Sequence, residues 1–182
     1  MCSEKPAMLS IRLPFEADGF ARAEAVVGIF IQKEKDARRR YATIVNIRSN
    51  SDGFKHEGLM CPDGHLQELL LKEAYEQAGV DPGTISYIEA HGTGTPTGDP
   101  QEIEAIHRVL CKSVAREQPL LLGSVKSNMG HAESAAGLCG VAKTIIAIQQ
   151  GSIPPNLHFK KPKTEQEHLF DGSIQVISSE QL

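Results

Sequence analysis

The sequence predicts an α/β protein built on parallel strands, and three observations carry that prediction. Short apolar, β-rich runs ending at Ala90 and Ser124 alternate with helical patterns. Each helical pattern has its own start and stop signals. A strand, a helix and a second strand joined by short connections almost always give parallel neighbours with a right-handed crossover. The 182 residues, 40% hydrophobic and 23% charged, suit one ordinary soluble globular unit. That length supports a core that needs neither disulfide nor metal to hold it.

"FARAEAVVGIFIQK", from Phe20 to Lys33, moves from alanine-rich to β-branched, and "YATIVNIRSN", from Tyr41 to Asn50, alternates apolar with polar. Both read as strands. "SNSDGFKHEGLMCPDG", from Ser49 to Gly64, is a polar loop punctuated by glycine. From His65 the spacing turns helical through Leu66, Leu69, Leu70, Ala74 and Ala78, with Gly79 where a C-cap glycine belongs. Ile85 to Ala90 reads as a strand. Asp99-Pro100-Gln101-Glu102 then predicts a helix start, with Asp99 as N-cap, Pro100 in the first helical position and Glu102 reaching back as in a capping box. Ile103, Ile106 and Leu110 give that helix one apolar stripe, and Leu120 to Ser124 forms a second short apolar strand. A helix from about Ala132 to Gln150 is apolar or small on nearly every side, which predicts a buried central helix. Gly137 and Gly140 would let a neighbour approach it closely, and Gly151 with Pro154-Pro155 stops it.

Nineteen Lys and Arg against 23 Asp and Glu give a net charge of −4, which argues against general nucleic-acid binding. The basic clusters "KEKDARRR" (Lys33 to Arg40) and "HFKKPK" (His158 to Lys163) read first as solvated faces, with an acidic partner the minority reading. Cys2, Cys61, Cys111 and Cys139 are scattered without a C-x-x-C pair, so reduced thiols in a cytoplasmic protein fit better than zinc or disulfides. No stretch is apolar enough for a signal h-region or a membrane span.

Parallel pairing places the carboxyl ends of both strands on one sheet edge, where open α/β folds put their sites. His91 follows the first strand and His131 lies just beyond the second, so the two converge. Gly92-Thr93-Gly94-Thr95 adds backbone freedom and two hydroxyls, but matches neither phosphate-loop nor dinucleotide spacing. His131, in Asn128-x-Gly130-His131, stands at the predicted start of the long helix, whose positive end favours a neutral imidazole. Two neutral histidines aimed at one point would stabilise an oxyanion or enolate without a metal. Lys126 and Glu133 flank His131 and are placed to orient it. Each residue has a plainer reading. A lone histidine at a strand end is usually structural, Thr93 and Thr95 would cap a turn, Lys126 would pair with an acid, and Cys139 would fill core. His56, His65, His107, His158 and His168 receive no role.

The combination "EAHGTGTPTGDPQEIEAI" and "GSVKSNMGHAESAAGLCGVAKTIIAIQQGSIPPNLHF" closely resembles the β-ketoacyl synthase family. "RAEAVVGIFIQKEKDARRRYATIV", "NSDGFKHEG" and "YEQAGVDP" look most like the ketosynthase domain of animal-type multifunctional fatty acid synthase, over about Phe15 to Gly172. The resemblance implies a thiolase-like fold, layered α-β-α-β-α, and decarboxylative Claisen condensation of an acyl thioester with malonyl on acyl carrier protein. By the same resemblance His91 and His131 are the catalytic histidines and Lys126 supports His131. Glu133 and Asn128 are supporting residues, and Thr93 and Thr95 bind the 4′-phosphopantetheine arm. It implies no metal and no cofactor bound by this segment, with NADPH used only by other domains of a synthase that is a homodimer. The family's Ala-Cys-Ser nucleophile has no match here, nor does its late glycine- and phenylalanine-rich loop, and "PFEADGFARAEA" is about two residues short. The expectation is therefore a C-terminal portion. Residues 1–60 would end the first ketosynthase half and 61–182 form most of the second, inactive without the missing half. Two alternatives stand beside it: a non-catalytic module for carrier binding, acyl binding or subunit pairing, and a metal-dependent hydrolase using His91, His131 and Asp99.

Overall fold

A computed structural model of the protein describes residues 19–179, except 57, 59, 60, 113, 158 and 160–170. Cys2, His158, His168, residues 1–18 and most of the 158–163 basic cluster lie outside the described residues. Helix α1, Gly64–Ala78, starts where the Asp63 carboxylate accepts from the amides of His65 and Leu66 at 2.9 and 3.1 Å. It stops at Gly79, left-handed at φ 61°, as its sequence predicts. Strand β1 (Tyr87–Glu89), helix α2 (Gly98–Leu110) and strand β2 (Leu120–Gly123) follow, then α3 (Lys126–Met129), α4 (Ala136–Gln150) and β3 (Ile174–Val176).

The strands form one parallel sheet in the order β1-β2-β3, with Ile88 opposite Leu122 and Leu122 opposite Val176. Alternation along the strands divides the side chains between two faces. Ile88, Leu120, Leu122, Ile174 and Val176 pack with Ile103, Ile106, Val109 and Leu110 of α2 into the core, and Leu110, Leu120 and Leu122 are fully buried. Tyr87, Glu89 and Gly123 turn to the other face, toward Gly140 and Lys143 of α4. β3 falls in a stretch to which the sequence analysis assigns no element, although Ile174-Gln175-Val176 alternates apolar with polar; its two inward residues complete the core.

Four expectations are corrected. Residues 20–33 and 41–50 are not strands. Their one ladder contact is a parallel bridge between Arg22 and His131, and Val26, Phe30, Ile44 and Ile47 are exposed. β-branched composition suits a strand but cannot supply the neighbouring backbone that makes one. Asp99 is not the N-cap of α2: Thr97 is, without a side-chain cap, and both Asp99 and Glu102 are engaged elsewhere. The predicted 132–150 helix is broken. α3 ends at Gly130 with φ 93°, Glu133 sits at φ 47°, a 3₁₀ turn covers Glu133–Ala135, and α4 begins at Ala136. Finally, α4 is not buried on every side. Cys139, Gly140, Lys143 and Ala147 face inward, while Leu138, Val141, Ile146 and Ile148 are exposed. Gly140 is closely approached by Glu89, whereas Gly137 meets nothing. Cys61, Cys111 and Cys139 are free thiols, the last buried as a core residue. Among the described residues no helix is long and apolar enough to cross a membrane.

Candidate active site

The site forms at the carboxyl edge of β1 and β2. The amide of Ala90 donates to Gly123 O at 2.7 Å, which carries the sheet one residue past β1 and delivers His91 to its edge. The first turn of α2 then grips the loop that follows. Glu102 accepts from the amides of His91 and Gly92 at 2.6 and 2.9 Å. Asp99, 1% exposed, accepts from Gly94 N with both oxygens, at 3.1 and 3.0 Å, and from the Thr93 hydroxyl at 3.4 Å. The Thr93 and Thr95 hydroxyls lie 3.1 Å apart, and Thr95 also accepts from Gly98 N at 3.1 Å. Both threonines thus brace the turn. Burial, then the neighbouring Glu102 charge, pushes the Asp99 carboxyl up to about 7 against the loop amides that favour its ionised form. Burial likewise raises Glu102.

His131 is held by the chain that crosses it. Its amide donates to Ala21 O at 2.8 Å and its carbonyl accepts from Ala23 N at 2.9 Å. This crossing explains Gly130: a Cβ there would meet the Ala23 Cβ at 2.9 Å and Ala21 O at 3.1 Å, at a φ that disfavours side chains. The Glu133 amide donates to His131 Nδ1 at 2.9 Å. Nδ1 is therefore an acceptor, and the proton of the neutral ring resides on Nε2. The Glu133 carboxylate turns outward to Arg22 at 2.9 Å, and Phe20 stacks 4.7 Å from the imidazole.

Lys126, 3% exposed, donates to His91 O at 2.7 Å and faces His91 Nδ1 at 3.2 Å. An ammonium has only donors, so His91 too is left with its proton on Nε2. Lys126 thus holds His91, and none of its described hydrogen bonds reaches His131, contrary to the role expected for it. The two rings lie 5.3 Å apart, edge to face at 90°. His91 keeps an exposed face, yet burial of its remainder, then Lys126, then His131, lowers it to about 4. His131 is lowered by burial first and Lys126 second. Both shifts favour the neutral ring, the form expected from the sequence, but for a different reason. α4 begins well past His131, so burial and a nearby cation do what the helix end was expected to do.

Asn128 serves the scaffold: it donates to Pro155 O at 3.0 Å and accepts from the Ser127 hydroxyl. Beside it stands buried Asn156, which sequence reading missed. Its Oδ1 accepts from Ser124 N at 2.8 Å and its Nδ2 donates to Leu122 O and Ile177 O, tying the end of β2 to the chain after β3. No spacing rule marks such a hub. Glu102, read only as a helix-start residue, is the other missed site residue; Asp99 enters the sequence analysis both as a helix cap and as a ligand in the hydrolase alternative. With Asp99 committed to Gly94 and Thr93, it is not gathered with the histidines. Among the described residues no three His, Cys, Asp or Glu side chains are arranged to hold a metal.

The profile of the family described as "Beta-ketoacyl synthase, C-terminal domain" matches residues 41–160. A fatty acid synthase of Anser anser anser is 46% identical over 134 residues, covering 74% of this chain and 38% of the relative. A highly reducing polyketide synthase of Aspergillus terreus is 44% identical over 150 residues, 80% of this chain but 6% of the relative. The solved ketosynthase from module 1 of the bacillaene synthase of Bacillus amyloliquefaciens matches with a TM-score of 0.74 and 35% identity, over 81% of this chain and 26% of that one. The chain therefore spans well under half the length of these relatives, and its fold is thiolase-like.

Proposed function

The chain belongs to the β-ketoacyl synthase family, and from that premise we propose that it supplies the two-histidine, one-lysine part of a decarboxylative condensing site. The reaction joins an acyl thioester to malonyl carried on the 4′-phosphopantetheine of acyl carrier protein, in fatty acid biosynthesis. The observation that carries this reading is the pair of rings, 5.3 Å apart, each with Nδ1 facing a donor, which leaves Nε2 to carry the proton of a neutral imidazole.

In the proposed step the bond between the malonyl α-carbon and its carboxylate breaks and carbon dioxide leaves. The electron pair moves through the α-carbon to the thioester oxygen, where Nε2–H of His91 and His131 stabilises the enolate. The α-carbon then attacks the acyl carbonyl and a cysteine thiolate leaves. That cysteine belongs to the other ketosynthase half, with residues 1–60 closing that half and 61–182 forming most of this one. Lys126 keeps the His91 tautomer in place and Glu133 that of His131. Asn128 supports the backbone beneath them. Thr93 and Thr95, besides bracing the turn, take the 4′-phosphopantetheine-binding role that the family resemblance implies. The fatty acid assignment, against a polyketide, rests on the animal-type stretches of the sequence. A subunit-pairing role is the second reading, favoured by exposed Val26, Phe30, Ile44 and Ile47. Homodimerisation and carrier docking follow from the family.

The test uses a complete synthase carrying this segment. His131→Ala removes a preorganised donor to developing charge, a loss on the order of 3–4 kcal/mol or about a hundred- to a thousandfold in carbon dioxide release. Acyl loading, read by radiolabel, stays intact. Lys126→Ala gives the same pattern more mildly. Loss of loading with decarboxylation preserved would refute the assignment.

A further inference from the structure

Beneath the histidine pair lies a buried ionic cluster that the proposed chemistry does not use. Lys143 of α4 is 8% exposed, and its ammonium sits 2.8 Å from Glu89 Oε2 and 3.0 Å from the Tyr87 hydroxyl. Tyr87 donates to the same Glu89 oxygen. The other oxygen, Oε1, accepts the backbone N–H of Val125, the residue immediately before Lys126. Two glycines clear space for the cluster. A Cβ on Gly123 would stand 2.5 Å from the Tyr87 hydroxyl, and one on Gly140 would stand 3.0 Å from Glu89 Cγ.

A buried pair of this kind is weak evidence for stability, because apolar residues of similar volume often serve as well. Its geometry offers a better reason. Glu89 lies two residues before His91 on the same strand end and holds the amide one residue before Lys126. One carboxylate thereby spans the two chain segments that bring Lys126 Nζ onto His91 Nδ1 and O. We infer that Glu89 is a positioning residue: anchored by Tyr87 and Lys143, its carboxylate sets the start of α3 and so keeps the Lys126 ammonium on His91. This deepens the proposed condensing site and rests on it for its functional meaning. The placement itself can be tested without any condensation.

The groups facing the pair come from several elements. Lys126 meets the fields of Glu102, Glu89, Asp99 and Cys139, and His91 meets Lys126 and His131, with Glu102 on its amide. Glu89 adds negative charge beside Lys126, which favours the ammonium that burial opposes.

The experiment follows the protonation of each histidine of the full chain by C2–H deuterium exchange and peptide mass spectrometry from pH 3 to 9. In the wild type His91 titrates near pH 4. In Glu89→Met with Lys143→Met, which leaves no orphaned charge, the His91 midpoint should rise by about one pH unit as Lys126 leaves the ring. Lys126→Met should raise it by a similar amount. Adding the Glu89 and Lys143 changes to Lys126→Met should raise it no further, since Glu89 acts through Lys126. Glu89→Gln, which keeps an acceptor for Val125 N–H, should recover part of the low midpoint. A folded double variant with His91 unchanged overturns the inference, and so does a full additive shift in the Lys126→Met background. If the double variant does not fold, amide exchange in the wild type decides. A slowly exchanging Val125 N–H supports the anchor and a rapidly exchanging one overturns it. Should His91 shift as stated while decarboxylation by the synthase ignores Glu89, the positioning survives and the condensing role fails.

Discussion

Two regions of this chain share a composition and differ in outcome. Leu120 to Gly123 and the runs from Phe20 to Ile31 and from Tyr41 to Ile47 are both rich in the aliphatic side chains that favour strands. The first lies between two parallel neighbours with Leu120 and Leu122 fully buried. Among the described residues the second joins no sheet and leaves Val26 103% and Phe30 86% exposed. The second region is fastened near the site, where Ala21 and Ala23 bracket the backbone of His131, eight residues beyond β2. The lesson is that strand propensity is a property of a surface awaiting a partner. Where the fold supplies that partner the segment becomes core; elsewhere it is an apolar face.

The contrast is most sharply tested by truncating one residue from each region. Leu122→Ala should cost about 3 kcal/mol in urea unfolding, from lost transfer energy and the cavity left behind. Phe30→Ala should change the unfolding free energy by no more than about 0.5 kcal/mol, as an exposed substitution does. Equal losses would erase the distinction between the regions. A smaller effect is expected at the joint. Gly130→Ala places a Cβ 2.9 Å from Ala23 at φ 93° and should cost about 2 kcal/mol. Limited proteolysis should then cut the 20–54 stretch sooner, while α1 and α2 resist; unchanged cutting would mean the crossing does not fasten it.

The pH dependence of stability separates the site region by sign. His91, lowered from its ordinary 6.5 to about 4, leaves the unfolded chain holding the extra proton between those values, so its contribution to stability rises with pH there. Asp99, raised from 3.8 to about 7, leaves the folded chain holding the extra proton, so its contribution falls as pH rises across nearly the same window. The two oppose one another in the wild type. Asp99→Asn removes the falling part, and its stability should climb from pH 4 to 6.5 more steeply than the wild type's. A flatter profile in the variant would reverse the assignment. The smallest effect on stability, and a clear one on surface, belongs to the exposed region. Phe30→Ser with Ile47→Ser should leave the urea midpoint in place and reduce binding of a hydrophobic dye. Undiminished dye binding would move the apolar face elsewhere, to the outer side of α4.

Much of the fold is local and therefore legible. Asp63 and Gly79 bound α1 by hydrogen bonds within a few residues, and apolar periodicity marks α1, β1, α2 and β2. The convergence of His91 and His131 follows from one topological rule about parallel strands, and the rings do meet. Other features join residues far apart in sequence, where no spacing rule reaches. Asp99 and Glu102 look like helix-start residues, but they turn back to the amides of 91–94 because that loop lies over the first turn of α2. Lys126 belongs to His91 rather than to nearby His131, since α3 folds its side chain back toward β1. The neutrality of His131 comes from burial and a cation brought by packing, and the helix expected to cause it begins farther on. Sequence by itself determined the strand edge and the two rings that reach it, because backbone periodicity and chirality act locally. Tertiary structure alone decided which donor faces which nitrogen and which apolar runs find a neighbour, because desolvation and pairing depend on what the rest of the chain places alongside.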